Sequence, residues 1–387
     1  MKYIFTLGSP DIGGGTNVIF EHASYLANKG NEVYIVNERK IKQEEYNWHS
    51  KAHVLKFVTY DEIKNMTFDV AIATWWMTVY DLYRINAVDY IYFVQSIESR
   101  FYKEHEIAVK FLAELTYCLD LKIITEATWI KEYLEEKYGL VVELVLNGIR
   151  KDIFNVSNEK LDKKGLRILV EGPVNVDFKN VPKTIELVKE SEADEVWLLT
   201  SSDIKEYKGV DKVFSRIPPS ECADIYRSCD AIVKLSYVEG MFGPPLEMFH
   251  CGGTAIVYNV SGHDEYIKDG YNGFVVKADD EEGVVEAINK LKDKKILGKL
   301  KENAIITAGK WPSWDESSEA FYTAINKLSN LKKVNKKVLE HKSKLYFEIY
   351  RNYELKQEKF VTVMGRSIKR RSQYLYNFLK KLRDKFK

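Results

Sequence analysis

Short apolar runs alternate with amphipathic stretches along most of this chain, and the alternation occurs twice. In the first series, residues 3–7 read as a buried strand, Gly13-Gly14-Gly15 as a turn and residues 17–29 as a helix. The apolar face of that helix carries Val18, Ile19, Ala23, Tyr25 and Leu26, and a second strand follows at 32–36. Further strands are expected at 53–58, 69–73, 90–94 and 121–125, with helices at 104–117 and 128–138. After the polar, Lys-rich stretch 155–167 the pattern restarts at Ile168-Leu169-Val170. Strands then fit 195–200, 231–235, 254–258 and 273–276, and helices fit 180–190, 220–228, 244–251, 264–268 and 281–292. Alternation of this kind builds a parallel sheet covered by helices on both faces, so the chain is α/β with two doubly wound units. Ligands of such sheets sit beyond the carboxyl ends of the strands, and two units facing each other make a cleft there.

The expected organisation is an N-terminal Rossmann-like domain over 1–154, a second over 155–312, a helix over 313–330 that starts near Ser313-Trp314, and a helical tail over 331–387. A chain of 387 residues is longer than one hydrophobic core usually grows, which agrees with two domains plus an appendage. The four cysteines (Cys118, Cys222, Cys229, Cys251) show no CxxC pairing and no His at metal spacing, as suits a reducing compartment. The N-terminus is too short for a signal-peptide core, and no run reaches the ~18 apolar residues of a membrane span. The expectation is a cytoplasmic protein.

The formal net charge of +1 conceals an asymmetry. Residues 331–387 hold 18 Lys+Arg and 5 Asp+Glu, a net of +13, which leaves −12 for residues 1–330. An acidic body with a basic tail points to an anionic surface met at one end, not to a nucleic-acid groove along the body. From Ser367, the apolar residues Ile368, Leu375, Leu379, Leu382 and Phe386 recur at helical spacing among Lys369, Arg370, Arg371, Lys380, Lys381, Arg383 and Lys385. Residues 366–387 therefore read as a basic amphipathic helix suited to an anionic membrane, with packing on the body or on another subunit as the alternative.

The segment richest in chemistry is Ser236-Tyr237-Val238-Glu239-Gly240-Met241-Phe242-Gly243-Pro244-Pro245-Leu246-Glu247. It follows the apolar strand Ala231–Leu235 and opens a helix that Pro is suited to begin. Free amides at such an opening, flanked by glycines, suit a diphosphate or a charge developing on a leaving group. A carboxylate accepts hydrogen bonds from vicinal hydroxyls, so Glu239 beside a sugar and Glu247 beside a ribose would read both ends of one donor. Chance spacing, with Glu247 merely stabilising the start of its helix, is the competing explanation.

This segment resembles the E-x7-E signature of retaining GT-B glycosyltransferases of family 4 (group 1). Asn147-Gly148-Ile149-Arg150 with Phe154 resembles that family's domain junction. Cys251-Gly252-Gly253-Thr254 through Gly262, Glu265, Asp269-Gly270 and Asn272-Gly273-Phe274 resembles its C-terminal stretch, and Trp314 resembles the Trp that opens the helix crossing back. The resemblance spans about residues 1–328 and implies roles position by position. Glu247 would hold the ribose, and Glu239 the donor sugar. Amides of Gly240, Met241, Phe242 and Gly243 would face sugar and phosphates, and Lys179 would neutralise the diphosphate. Gly14 and Gly15, in the run Gly13-Gly14-Gly15, would close over the donor. The family's Arg after the first strand of the second domain is absent, replaced by Glu171-Gly172-Pro173.

Phe93-Val94-Gln95-Ser96-Ile97-Glu98 resembles a rhamnosyltransferase-like subgroup, which places Gln95 and Glu98 on the acceptor side; Gln95 as a plain strand-end hydrogen bonder is the alternative. Trp75-Trp76 reads as core, with a platform for a sugar ring as the alternative. Asp279-Asp280 reads as a helix cap, and no Asp-x-Asp motif stands at a strand end, so neither metal nor cofactor is expected. Gly8-Ser9-Pro10-Asp11-Ile12-Gly13-Gly14-Gly15 lacks the G-x-G-x-x-G spacing of a dinucleotide fold.

The expected function is transfer of rhamnose or another hexose from a nucleotide-diphosphate donor to a saccharide or lipid-linked acceptor in cell-surface polysaccharide assembly, at the inner face of the membrane. A nucleotide-sugar 2-epimerase and a non-catalytic nucleotide-sugar-binding module are the rivals.

Overall fold

The computed structural model describes residues 1–157 and 165–371. The chain divides into two compact units. The first comprises Met1–Ile97 and Asp120–Val334, and the second comprises Glu98–Leu119 with the chain from Asn335 onward.

The first half runs β1 (Lys2–Thr6), α1 (Gly14–Asn28), β2 (Glu32–Asn37), β3 (Lys56–Thr59), β4 (Phe68–Ala73), α2 (Trp76–Val79), β5 (Ala87–Val94), α3 (Ile107–Leu115), β6 (Lys122–Thr125), α4 (Thr128–Tyr138) and β7 (Val142–Leu144). The second half runs β8 (Arg167–Glu171), α5 (Val181–Glu190), β9 (Glu195–Thr200), β10 (Lys212–Ser215), α6 (Pro219–Arg227), β11 (Ala231–Lys234), α7 (Gly243–His250), β12 (Thr254–Tyr258), β13 (Gly273–Val276), α8 (Glu281–Lys290), α9 (Lys294–Gly309), α10 (Trp314–Ser329) and α11 (Lys336–Arg371).

Seven strands pair in the order β3-β2-β1-β4-β5-β6-β7 and six in the order β10-β9-β8-β11-β12-β13. Every pairing between them is parallel. In each sheet the order reverses beside its first strand, between β1 and β4 and between β8 and β11, so each sheet has one switch point. The central strands are apolar on both faces, with Ile4, Phe5, Ile72, Ile91, Leu169, Ile232 and Ile256 fully buried, because helices cover both sides.

The two edge strands β7 and β10 were absent from the sequence reading. Each is short, and in burial both are mixed where the central strands are continuous. Helix α9 was missed as well; its apolar residues are spread over a Lys-rich stretch. The turn expected at Gly13-Gly14-Gly15 is corrected: Gly13 is the N-cap and α1 begins at Gly14. The helix expected over 264–268 is a 3-10 turn at His263–Glu265.

Helix α10 starts at a capping box, where the Ser313 hydroxyl accepts from the Glu316 amide and the Glu316 carboxylate accepts from the Ser313 amide. Its Trp314, Phe321, Ile325 and Leu328 join the core of the first sheet. There Phe321 stacks on His22 at 4.2 Å, and burial lowers the His22 pKa to about 3, so this imidazole is neutral. Gly148 lets the junction pass this helix start. A Cβ at 148 would lie 2.4 Å from the Trp314 backbone nitrogen.

In the second unit α3 and α11 carry the described structure, with Lys342 Nζ donating to the Cys118 carbonyl at 2.9 Å and Leu339 buried. Of the expected amphipathic helix at 366–387, the part beyond Arg371, including Leu375, Leu379, Leu382 and Phe386, lies outside the described residues. Among the described residues no helix is long and apolar enough to cross a membrane.

Candidate active site

The chemistry-bearing residues gather just past the carboxyl ends of strands in the first unit. Gln95 follows β5 and Glu126 follows β6 in one sheet; Gly172 follows β8 and Glu239 follows β11 in the other. Glu239 is the centre of this group. It is 7% exposed, and its Oε2 accepts from Lys179 Nζ at 2.8 Å. Lys234 Nζ stands 3.6 Å from its Oε1. Burial alone would raise the Glu239 pKa, but Lys179 and Lys234 outweigh it and hold the carboxyl below its ordinary value, so Glu239 is charged at neutral pH.

Local structure explains how Lys179 arrives there. Asn180 adopts a left-handed conformation that ends a 3-10 turn over Asp177–Lys179 and begins α5. Its Nδ2 donates to the Leu235 carbonyl at 3.2 Å, while the Tyr237 amide donates to the Phe178 carbonyl at 2.8 Å. Two bonds thus stitch the Lys179 turn to the Glu239 loop.

Lys234 was missed in the sequence. It sits on β11 with 3% exposure, its Nζ 2.5 Å from Glu171 Oε2. Burial would lower its pKa, yet Glu171 and Glu239 raise it above the usual value, so it remains a cation. The readable signal was an ionisable residue inside an otherwise apolar strand run, two residues before a polar loop. Its Nζ would be 3.8 Å from a Cβ at Gly172, beside the position where the resembling family carries an Arg.

Glu247 lies on α7, which begins at Gly243, so Glu247 is the fifth helical residue and not part of the first turn as the sequence suggested. It is half-buried, and burial pushes its carboxyl up to about 7, with a hydrogen bond from the Tyr226 hydroxyl opposing the rise. In the loop before α7, the Phe242 side chain is in the core and its carbonyl accepts from Tyr266 Oη. The Met241 amide donates to Glu126 Oε1 at 3.2 Å, and Trp129 Nε1 donates to the Gly240 carbonyl at 3.0 Å. Gly240 admits no side chain, because a Cβ there would fall 2.0 Å from the Gln95 carbonyl oxygen.

Gln95 Nε2 donates to the Thr74 carbonyl at 3.2 Å, which supports the strand-end alternative for that group. Its Oε1 is buried without a hydrogen-bond partner and would lie 3.1 Å from a Cβ at Gly15. Gly15 and Gln95 are therefore neighbours, while Gly14 has open space where a side chain would be. Glu126 Oε2 and Glu239 Oε1 are buried acceptors without hydrogen-bond partners as well. Burial pushes the Glu126 carboxyl up to about 7. Glu98 belongs to the second unit, where it is buried at the start of a 3-10 turn. Asp280 caps α8 by accepting from the Gly283 amide at 3.0 Å, and Trp76 is 3% exposed, so both are structural.

Two facing switch-point sheets, a Gly-rich helix opening and a charged Glu–Lys pair define a GT-B protein. The structure of sucrose-phosphate synthase from Thermosynechococcus elongatus superposes with a TM-score of 0.70 at 13% identity, covering 85% of this chain and 99% of that one. Anabaena HepE in complex with UDP-glucose gives 0.67 at 13% identity, covering 86% and 100%. At such identity the likeness is one of fold. Residues 178–311 match the family of glycosyl transferases group 1, and the chain has a GT-B fold. An uncharacterized glycosyltransferase of Methanocaldococcus jannaschii is 25% identical over 190 residues, which cover 46% of this chain and about half (52%) of that relative's length.

Proposed function

We propose that the protein is a retaining glycosyltransferase that moves a hexose, rhamnose among the candidates, from a nucleotide-diphosphate donor to a saccharide or lipid-linked acceptor, without a metal. One observation carries this reading: Glu239 is a buried carboxylate kept charged by Lys179 and Lys234, with one oxygen hydrogen-bonded to Lys179 and the other 3.6 Å from Lys234 Nζ and without a hydrogen bond. An ionised, half-satisfied acceptor invites a hydroxyl donor, and sugars supply several. The family match over 178–311, the fold shared with HepE, whose structure holds UDP-glucose, and the neighbouring cation Lys179 support the same reading.

The bond from the sugar C1 to the diphosphate oxygen breaks while a bond from C1 to the acceptor oxygen forms on the same face. The acceptor's proton passes to the departing phosphate oxygen. Lys179 stabilises the charge that grows on the diphosphate, a preorganised electrostatic role. Glu239 orients the sugar and Glu247 the ribose.

Nucleotide release from UDP-, dTDP- and GDP-sugars, with and without a lipid-linked saccharide acceptor and in the presence of EDTA, tests this. Glu239→Gln is expected to lower kcat by about 10- to 100-fold, the worth of a hydrogen bond to a charged group. Glu247→Ala is expected to weaken nucleotide binding by a similar factor. Release from none of the donors by the wild-type protein overturns the reading, and dependence on a metal overturns that part of it.

A further inference from the structure

The carbonyl of Gly240 and the amide of Met241 are the two polar ends of one peptide group, and both are held by side chains from the opposite sheet's domain. Trp129 Nε1 donates to the carbonyl at 3.0 Å, and Glu126 Oε1 accepts from the amide at 3.2 Å. This peptide lies one residue past Glu239 and precedes the opening of α7. Glu126 lies in the short turn between β6 and α4, and Trp129 is the second residue of α4. The start of α4 has a second anchor, for the Thr128 amide and hydroxyl both donate to Glu265, the hydroxyl at 3.0 Å. Close packing makes the arrangement specific. A Cβ at Gly240 would strike the Gln95 carbonyl at 2.0 Å, and one at Gly262 would lie 2.5 Å from the Gly240 carbonyl oxygen and 3.2 Å from Trp129 Nε1.

A peptide plane bonded at both ends cannot rotate without losing both bonds. Its orientation fixes the backbone on which Glu239 hangs and the direction of the amides that follow. We propose that Glu126 and Trp129 are positioning residues, a clamp by which the N-terminal domain sets the peptide after Glu239 so that the donor loop takes its working geometry only when the two domains are closed. The inference rests on the transferase reading for its catalytic consequence but not for the clamp itself.

Two measurements separate these. Amide exchange of the Gly240–Gly243 segment reads the clamp without any substrate. It is expected to be slow in the wild type and about tenfold faster in Trp129→Phe and Glu126→Ala, the loss of about one hydrogen bond. Turnover of a nucleotide-sugar reads the consequence. Each single variant is expected to lower kcat about five- to tenfold with KM within about threefold, and Glu126→Gln, which keeps an acceptor oxygen, to recover most of the loss. The Trp129→Phe/Glu126→Ala double variant is expected to lose little more than either single, since both act on one peptide. Fast exchange in the wild type, full multiplication of the two effects in the double, or a Glu126→Gln as impaired as Glu126→Ala overturns the clamp. Slow, clamp-dependent exchange in a protein that turns over no donor retains the clamp and overturns the function.

Discussion

Buried Glu126 and half-buried Glu247 have carboxyls pushed up to about 7 from 4.5, whereas Glu239, on the same loop as the clamped peptide, is held below its ordinary value by two lysines. Three acids within one site thus differ in charge at neutral pH because of their neighbours. A carboxyl whose pKa is raised by folding binds its proton more tightly in the native state. Its stabilising contribution is complete below about 4.5 and is lost as pH rises through about 7. For Glu126 the loss is at most on the order of 3 kcal/mol. Thermal melts between pH 5 and pH 8 should show the midpoint falling with pH, and the fall should be shallower in Glu126→Gln. An unchanged slope would mean that Glu126 titrates at its ordinary value. Such behaviour was not legible in the sequence, because nothing in Ile124-Thr125-Glu126-Ala127 tells that the strand end faces a loop 115 residues further on. The placement of Glu239 on the loop after β11 and of Glu247 on the helix that follows was legible, since the Gly-loop and Pro-helix context is local.

At the scale of elements, the junction at Asn147–Arg150 depends on close backbone approach. The Ile149 amide donates to the Pro312 carbonyl at 3.1 Å, and Ile149 forms a parallel bridge to Ser313. Gly148→Ala would press a methyl against the backbone of Ser313 and Trp314, which has no rotamer with which to yield. The expected cost is about 1–3 kcal/mol, read as a lower denaturant midpoint at unchanged slope. The same junction explains what periodicity could and could not reveal. Helices α4 and α10 and strands β9, β12 and β13 were read nearly residue for residue, because each has a strong apolar face and clear ends. The glycine run at 13–15 looked like a turn because Gly usually breaks helices. Here the missing side chains let α1 start at Gly14 and approach Gln95, a tertiary reason invisible to local propensity.

For the molecule as a whole, the charge asymmetry is the least explained feature by fold alone. The body of residues 1–330 carries −12 and the segment 331–387 carries +13, while at the site Lys179 and Lys234 already balance Glu239 and Glu171. Eleven of the tail's 18 Lys+Arg fall after residue 355, in the stretch where the apolar residues recur at helical spacing. A cationic, amphipathic segment gains roughly 1 kcal/mol per Lys or Arg near an anionic bilayer, so a handful of them suffices for reversible docking. Under the proposed function, such docking would bring the chain to a lipid-linked acceptor. Flotation with vesicles of phosphatidylglycerol and phosphatidylcholine should carry the full chain at low salt and release it near 0.5 M salt, where the Debye length falls to about 4 Å. A chain ending at residue 365 should stay unbound, keep its melting temperature and retain turnover on a water-soluble acceptor. Equal flotation of the two chains would assign the basic tail to a protein contact instead.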